Sequence, residues 1–340
     1  MKFNIAATDL TSMGVILTRF SQKDASDGFG YVEITIFDGI ARFKTSNPMQ
    51  TATVTYLVDS DKDGIVYVES SRFLKLAKSF SGIVTIELKA NTLFIKQGKS
   101  KYSIQIANDP MANFLTPLDN TPIEIDFGDM MNKLSFAVDS GADNCLGYYW
   151  FNDNAIAASN QYTLCESILS KSTGLVSCIP QASIRDIKGK VSIRHNGRQL
   201  DVENGNLYLS SRLVELAFPK YRSLIPEHPH WIDVERGQLL EILDRISLVA
   251  DIGSVKIGVE DSSIHIDSTV DVSSGYDILA GSVNIDFKIE LSINIRYTLS
   301  ALRAIGGDIA RIYFGTDAQP VLIRNPENET FTTLIMPIRH

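Results

Sequence analysis

Few side chains in this chain stand at spacings that chemistry would need. Of the five histidines, only His228 and His230, in the run PEHPH, are close enough to form a metal pair, and no third ligand can be named beside them. The run DSDKDG at 59–64 resembles the first half of a calcium loop, but Glu69 falls at the eleventh position from Asp59 rather than the twelfth that would close it. Cys165 has no sequence neighbour that would activate a thiol. No Gly-rich phosphate loop, Walker-type Lys-Ser/Thr, GxSxG elbow or CxxC pair occurs. A metal hydrolase built on His228 and His230 stays open as an alternative. Loop histidines, an acidic turn and a buried thiol are the simpler readings. What the chain does offer is cations at helical spacing. Arg72 and Lys75 are three apart, Arg185 and Lys188 three apart, and Arg296 and Arg303 seven apart. Each set lies beside an apolar stripe (Phe73, Leu76, Phe80; Ile184, Ile187; Ile295, Leu299, Leu302). Such faces can meet phosphates without reading bases; a charged, solvated helix face is the plainer alternative.

The elements that hold these cations recur. Three segments share a short extended stretch followed by an amphipathic helix: KFNIAATDLTSMGVILTRF from Lys2, IEIDFGDMMNKLSFAV from Ile123 and WIDVERGQLLEILDRISLV from Trp231. In the third, Leu239, Ile242, Leu243 and Ile246 make one helical stripe. Strand-like sequence follows each, and then a second helix: ESSRFLKLAKSF from Glu69, IPQASIRDIKGK from Ile179 and INIRYTLSALRAIGG from Ile293, with starts 110 and 114 residues apart. Alternating strands come next, with turns expected at Asn91 and Gly98 and at the Asn-Gly pairs 196–197 and 204–205. The spacing predicts an α+β fold of three repeated units, 1–118, 119–227 and 228–340, parted at the Pro-containing runs TPLDNTP and PEHPH.

The chain carries 32 basic and 40 acidic residues, a net charge of −8. That argues against a surface that coats nucleic acid or anionic membrane all over. Formal charge over the six predicted helices (9–23, 71–80, 129–139, 181–190, 235–251, 294–306) nevertheless sums to +5, leaving −13 for the remainder. An acidic body with segregated basic helices can hold DNA locally and repel it elsewhere. No apolar run approaches the ~18 residues of a membrane span, the start lacks the pattern of a signal peptide, and three cysteines make no disulfide framework. The expectation is a soluble, cytoplasmic chain.

Two runs carry a family resemblance: FPKYRSLIP at Phe218–Pro226 and TTLIMPIRH at Thr332–His340. Together with PVLIRN at Pro320–Asn325 and the order of the three units, they resemble the bacterial β sliding clamp, the processivity subunit of DNA polymerase III. The resemblance implies a non-catalytic, cofactor-free chain that dimerises head to tail into a ring of six similar domains. Such a ring encircles duplex DNA and tethers the polymerase, the clamp loader and other proteins bearing clamp-binding motifs. A β-rich ring-forming assembly protein that does not encircle DNA is the alternative from another class.

The resemblance also assigns residues. A pocket for partner peptides falls on Leu164, Pro219, Leu224, Pro320, Met336, Pro337, Ile338 and Arg339. The DNA-facing set is Arg72, with Lys75, Lys78, Arg185, Lys188, Arg296 and Arg303 added from helical spacing and Tyr148 and Tyr149 from a family Tyr pair. Gln181 and Ala182 stand where the family has basic residues. The dimer interface falls on Tyr102 and Ile104 in one strand and Ile278 and Leu279 in another. The chain departs from the family at Ser159–Leu164, where a TDGHRL-like run is usual and only the leucine is kept, and Ser223 replaces a second arginine after Arg222. An altered peptide preference, as in a diverged or mobile-element clamp, is the expectation from these changes.

Overall fold

The computed structural model describes the whole chain except residues 23–27, 109, 111, 127–129, 143, 182–186, 250–252, 261–262, 271–272, 286, 316–318 and 339–340, and the side chains of 260, 269 and 270. Its contacts divide it into two units, Met1–Ile125 with Lys190–Leu213, and Asp126–Gly189 with Val214–His340.

The first unit is built on one antiparallel sheet of 13 strands. Its helices α1 (Ala7–Thr18) and α2 (Ser70–Ala77) pack on each other. Their apolar positions repeat at three and four residues, so Leu10, Met13 and Leu17 of α1 and Phe73, Leu74 and Ala77 of α2 bury one stripe each. Gly14 lets the helices approach closely, because a Cβ there would lie 2.9 Å from Lys78 Cγ and 3.3 Å from the Leu74 carbonyl oxygen. Phe3, Phe43 and Phe73 form the aromatic centre of the core, with ring centroids 6.2 Å apart in both successive pairs.

The hairpin Gln199–Asn204 with Leu207–Arg212 joins this sheet through Leu207↔Val54 to Ser211↔Gln50. The hairpin is remote in sequence from the strand it extends, yet both belong to the first unit. Buried Asp201 fixes the connecting run, accepting hydrogen bonds from Leu118 N (2.6 Å), the Tyr208 hydroxyl (2.6 Å) and Gln199 Nε2 (2.8 Å).

The second unit holds a nine-stranded and a four-stranded antiparallel sheet. Helix α3 (Met130–Leu134) is short and runs into a 3-10 turn at Ser135–Ala137, where the sequence predicts one helix over 129–139. Helix α4 (Arg236–Ser247) buries Leu239, Ile242, Leu243 and Ile246, the stripe read from the sequence. Helix α5 (Ile295–Ile305) begins at Asn294, whose side chain accepts from Arg296 N and Tyr297 N at 3.0 and 3.1 Å. Helices α3 and α4 both contact α5. Of the predicted second helix of the middle repeat, 181–190, residues 182–186 lie outside the described residues and 187–190 are not helical. The strand Asn328–Ile335 pairs with Thr163–Ile168, setting Leu334 opposite Leu164. The predicted turns are present: Gly98, Gly197 and Gly205 all have positive φ, while at Asn91 the left-handed residue is its neighbour Ala90 (φ 47°).

Candidate peptide cleft, basic helices and edge strands

The FPKYR run folds as it does because each residue type has a different partner. Tyr221 begins a 3-10 turn, Tyr221–Leu224, and is buried. Its hydroxyl donates to Glu166 Oε1 at 2.5 Å, and Arg222 Nε donates to the same oxygen at 2.8 Å. Glu166 sits on the strand Thr163–Ile168 and is only 9% exposed, so its charge requires both donors. Burial and the adjacent carboxylate hold the Tyr221 phenol well above its ordinary pKa. Phe218 stacks in parallel on Trp150 at 4.9 Å and meets Tyr221 edge-on at 5.7 Å. Beneath them lies a buried cluster of Ala157, Leu164, Tyr221, Leu322 and Leu334.

These residues enclose a cleft of about 310 Å³ whose lining includes Trp150, Phe218, Pro219, Lys220, Tyr221 and Arg222. Arg222 also borders a second lobe of about 450 Å³, lined further by Glu166, His228, Tyr313, Leu322 and Arg324. The arrangement is an apolar floor with a few convergent polar groups, suited to a short partly apolar peptide.

The structure separates the sequence-assigned pocket residues. Leu164 belongs to the floor and Pro219 lines the cleft. Leu224 and Met336 are exposed at 57% and 38%, and Pro337 and Ile338 are partly exposed. The Pro320 carbonyl meets His228 Nε2 at 2.6 Å. Arg339 lies outside the described residues. The divergent run Ser159–Leu164 makes a built loop: Asn160 Oδ1 accepts from Tyr162 N (3.1 Å), Thr163 N (2.9 Å) and the Thr163 hydroxyl (3.0 Å). Gln161 sits at φ 75°, Tyr162 stacks on Tyr297, and Met336 N donates to the Tyr162 carbonyl at 2.8 Å. Trp150, Phe218, Glu166 and Tyr162 were not assigned from sequence. Phe218 lay inside the quoted motif, and Trp150 follows the noted tyrosine pair.

Among the expected DNA-facing residues, Arg72, Lys75, Lys78, Lys188, Arg296 and Arg303 are exposed. Arg72 pairs with Glu69 (3.1 Å), Arg303 with Asp244 (2.7 Å), and Lys78 reaches the Thr18 hydroxyl (3.2 Å). Lys75 and Arg296 stand without a carboxylate partner among the described residues. Arg185 is outside them. Tyr149 corrects the reading. It is fully buried, with its hydroxyl on the Met131 carbonyl oxygen at 3.0 Å, because neighbours on a strand point to opposite faces. Tyr148 is half-buried.

The strand Ser100–Ala107 pairs with Thr92–Gln97 along its length, but with Gly64–Glu69 only at Ala107 and Ile106. One edge over Ser100–Gln105 therefore stays open among the described residues. Ser273–Ala280 is likewise the end strand of its sheet. Tyr102 and Ile278 are exposed at 46% and 52%, whereas Ile104 and Leu279 are buried within the chain at 8% and 4%. The last two belong to the core of their own sheets within the single chain.

The other candidate chemistries resolve into structure. Asp61 and Asp63 of DSDKDG accept backbone N–H groups of Lys2 and Asp38 at 2.6 and 3.1 Å. His230 packs between Phe287 and Phe314, and His228 Nε2 meets the Pro320 carbonyl. Cys165 is buried against Thr333, and burial pushes its thiol up to about 12.

Residues 222–339 match the family described as DNA polymerase III beta subunit, C-terminal domain. Part of the chain is similar in sequence to bacterial beta sliding clamps. It is 27% identical over 176 residues to the beta sliding clamp of Synechococcus elongatus, covering 47% of each, and 27% identical over 168 residues to that of Staphylococcus aureus, covering 45% of this chain and 42% of that protein. These alignments thus span about half the length of the curated relatives. The beta clamp fold extends over the whole chain. A Helicobacter pylori beta clamp bound to a DNA ligase peptide superposes with a TM-score of 0.87 at 18% identity, covering 100% of both chains. The Thermotoga maritima DNA polymerase III beta subunit gives 0.84 at 18% identity, covering 100% of this chain and 99% of that one. No helix among the described residues is long and apolar enough to cross a membrane.

Proposed function

We propose that this chain is a DNA sliding clamp: two copies close head to tail around duplex DNA and tether a polymerase by seating one of its peptide segments in the cleft at Trp150 and Phe218. The observation that carries this reading is the clamp fold over the full chain, joined to the cleft that the FPKYR run builds on Glu166. The division into domains 1–118, 119–227 and 228–340 belongs to the proposal, as does a cytoplasmic location.

Three features of the chain support it. Lys75 and Arg296 are exposed cations on α2 and α5, the kind of group that meets phosphates without base readout. The open edges of Ser100–Gln105 and Ser273–Ala280 are aggregation hazards that pairing with a second copy would remove. A ring holds DNA by topology, so modest phosphate contacts suffice and the body can stay acidic at −8. Partners are then a DNA polymerase and a clamp loader, with no cofactor. The test is primer extension on a long single-stranded circular template with polymerase and loader from the same source. Long products that appear only when the chain is present support the proposal; product lengths unchanged by the chain contradict it.

A further inference from the structure

We propose that the outer face of the first unit's sheet, at the end formed by Phe37, Ile40, Leu57 and Ile65, docks a basic amphipathic segment of a partner protein. Strand register builds this end. Phe37 lies opposite Ile40, Ile40 opposite Leu57, and Ile65 opposite Thr35, two residues before Phe37. Side chains directly across a ladder share a face, as do residues two apart on a strand, so the four apolar groups stand together. Phe37, Leu57 and Ile65 are each more than half exposed, Leu57 at 87%. The other face of the same strands holds Ile36, Ala41, Phe43 and Val54, and is fully buried.

The chain itself covers the far end of the outer face. Ser46 Oγ donates to the Asn113 carbonyl oxygen at 2.6 Å, and Leu115 N donates to Thr51 Oγ1 at 2.8 Å. Lys44 Nζ stands 4.7 Å from the centroid of the Phe114 ring. Lys44 and Ser46 share the face of Ile40, and Thr51 shares that of Leu57. Ile40 lies four residues from Lys44 along its strand, and Leu57 six from Thr51 along the next, so these contacts leave the apolar end bare. A contiguous exposed apolar patch of this kind marks an interaction surface.

Charge names the partner. Asp38 follows Phe37, and its backbone N–H donates to Asp63 Oδ1 at 3.1 Å, so both residues adjoin the patch. Asp59 and Asp61 follow Leu57 closely, and all four aspartates are exposed. Against them stand two cations, Lys62 and Arg42, the latter opposite Thr35 on the same face, which leaves a surplus of two negative charges. This rim repels DNA phosphates and anionic lipid, and attracts a segment that carries Lys or Arg beside its apolar side chains. The run DSDKDG is thus the acidic border of an apolar site rather than half of a calcium loop.

Two labelled amphipathic peptides are titrated against the full chain by fluorescence anisotropy, one with leucine on one helical face and lysine on the other, the second with glutamate in place of lysine. The lysine peptide is expected to bind at least about fivefold tighter. Phe37→Ser with Leu57→Ser should weaken it by roughly tenfold or more, with the urea midpoint unchanged because both side chains are exposed. Asp38→Asn with Asp59→Asn should weaken it by about threefold and flatten its salt dependence, while keeping the apolar contacts. Equal binding of the two peptides, binding of neither, or affinity unchanged by Phe37→Ser with Leu57→Ser overturns the inference. Self-association in sedimentation that Leu57→Ser abolishes also overturns it, because the occupant is then a second copy of the chain.

Discussion

Tyr221→Phe is the sharpest probe of how the cleft is held. The substitution keeps the ring and its edge-on contact with Phe218, and removes only the hydroxyl that donates to Glu166 at 2.5 Å. A hydrogen bond to a charged acceptor contributes about 1.5–3 kcal/mol. Arg222 still donates to the same oxygen at 2.8 Å, so the lower part of that range applies, about 1.5–2 kcal/mol. Arg222→Met should cost less, at most about 1 kcal/mol, because its side chain is 50% exposed and the pair is screened. Glu166→Leu with Tyr221→Phe replaces both buried partners by apolar groups, so the double variant should be destabilised by less than the sum of the two single variants. Urea unfolding read from tryptophan emission gives all four values. Were Arg222→Met to cost more than Tyr221→Phe, or the double variant to be additive, the claim that buried Tyr221 carries this anchor would be wrong.

Other consequences follow from the same geometry. Tyr102→Arg with Ile278→Arg should give folded monomers by sedimentation at micromolar concentration, whereas Ile104→Arg or Leu279→Arg should lower the unfolding midpoint first, since those side chains are already buried. A persistent dimer of the exposed pair of variants would move the interface elsewhere. Lys75→Ala and Arg296→Ala should each lower the salt dependence of equilibrium binding to short linear duplex by about one counterion, the share of a single phosphate-facing cation, and Arg72→Ala and Arg303→Ala by less, because Glu69 and Asp244 already pair with them. Tyr149→Phe leaves the Met131 carbonyl oxygen without its donor and should cost about 1–2 kcal/mol in stability with no change in DNA retention. Burial, aided by Asp201 at Tyr208 and Glu166 at Tyr221, raises both phenols. Their native-state preference for the protonated form leaves stability intact below about pH 10, the unfolded value, and erodes it as pH rises further. Urea midpoints from pH 8 to 11 should fall less steeply in Tyr208→Phe/Tyr221→Phe than in the parent.

Much of the architecture could be read from local pattern. The stripe Leu239, Ile242, Leu243 and Ile246 identifies α4 because four apolar residues at helical spacing must share a face. The Asn-Gly pairs at 196–197 and 204–205 mark turns because glycine tolerates positive φ. The motif FPKYR signals a site, but its cause lay out of sight: Glu166 is 55 residues from Tyr221 in sequence, and only the sheet brings them together. Trp150 became part of the cleft for the same reason.

One misreading had a local cause. Tyr148 and Tyr149 cannot both face DNA, because adjacent residues on a strand point opposite ways and Tyr149 is the buried one. That rule was available from the sequence. The burial of Ile104 was not, since it depends on how the sheet folds over its core.

The central claim is topological linkage to DNA, and retention on circular against linear DNA tests it most directly. After loading by a clamp loader onto nicked circular duplex and gel filtration, the chain should elute with the DNA, and cutting the circle should release it. Equal retention before and after cutting would contradict encirclement and point to ordinary surface binding.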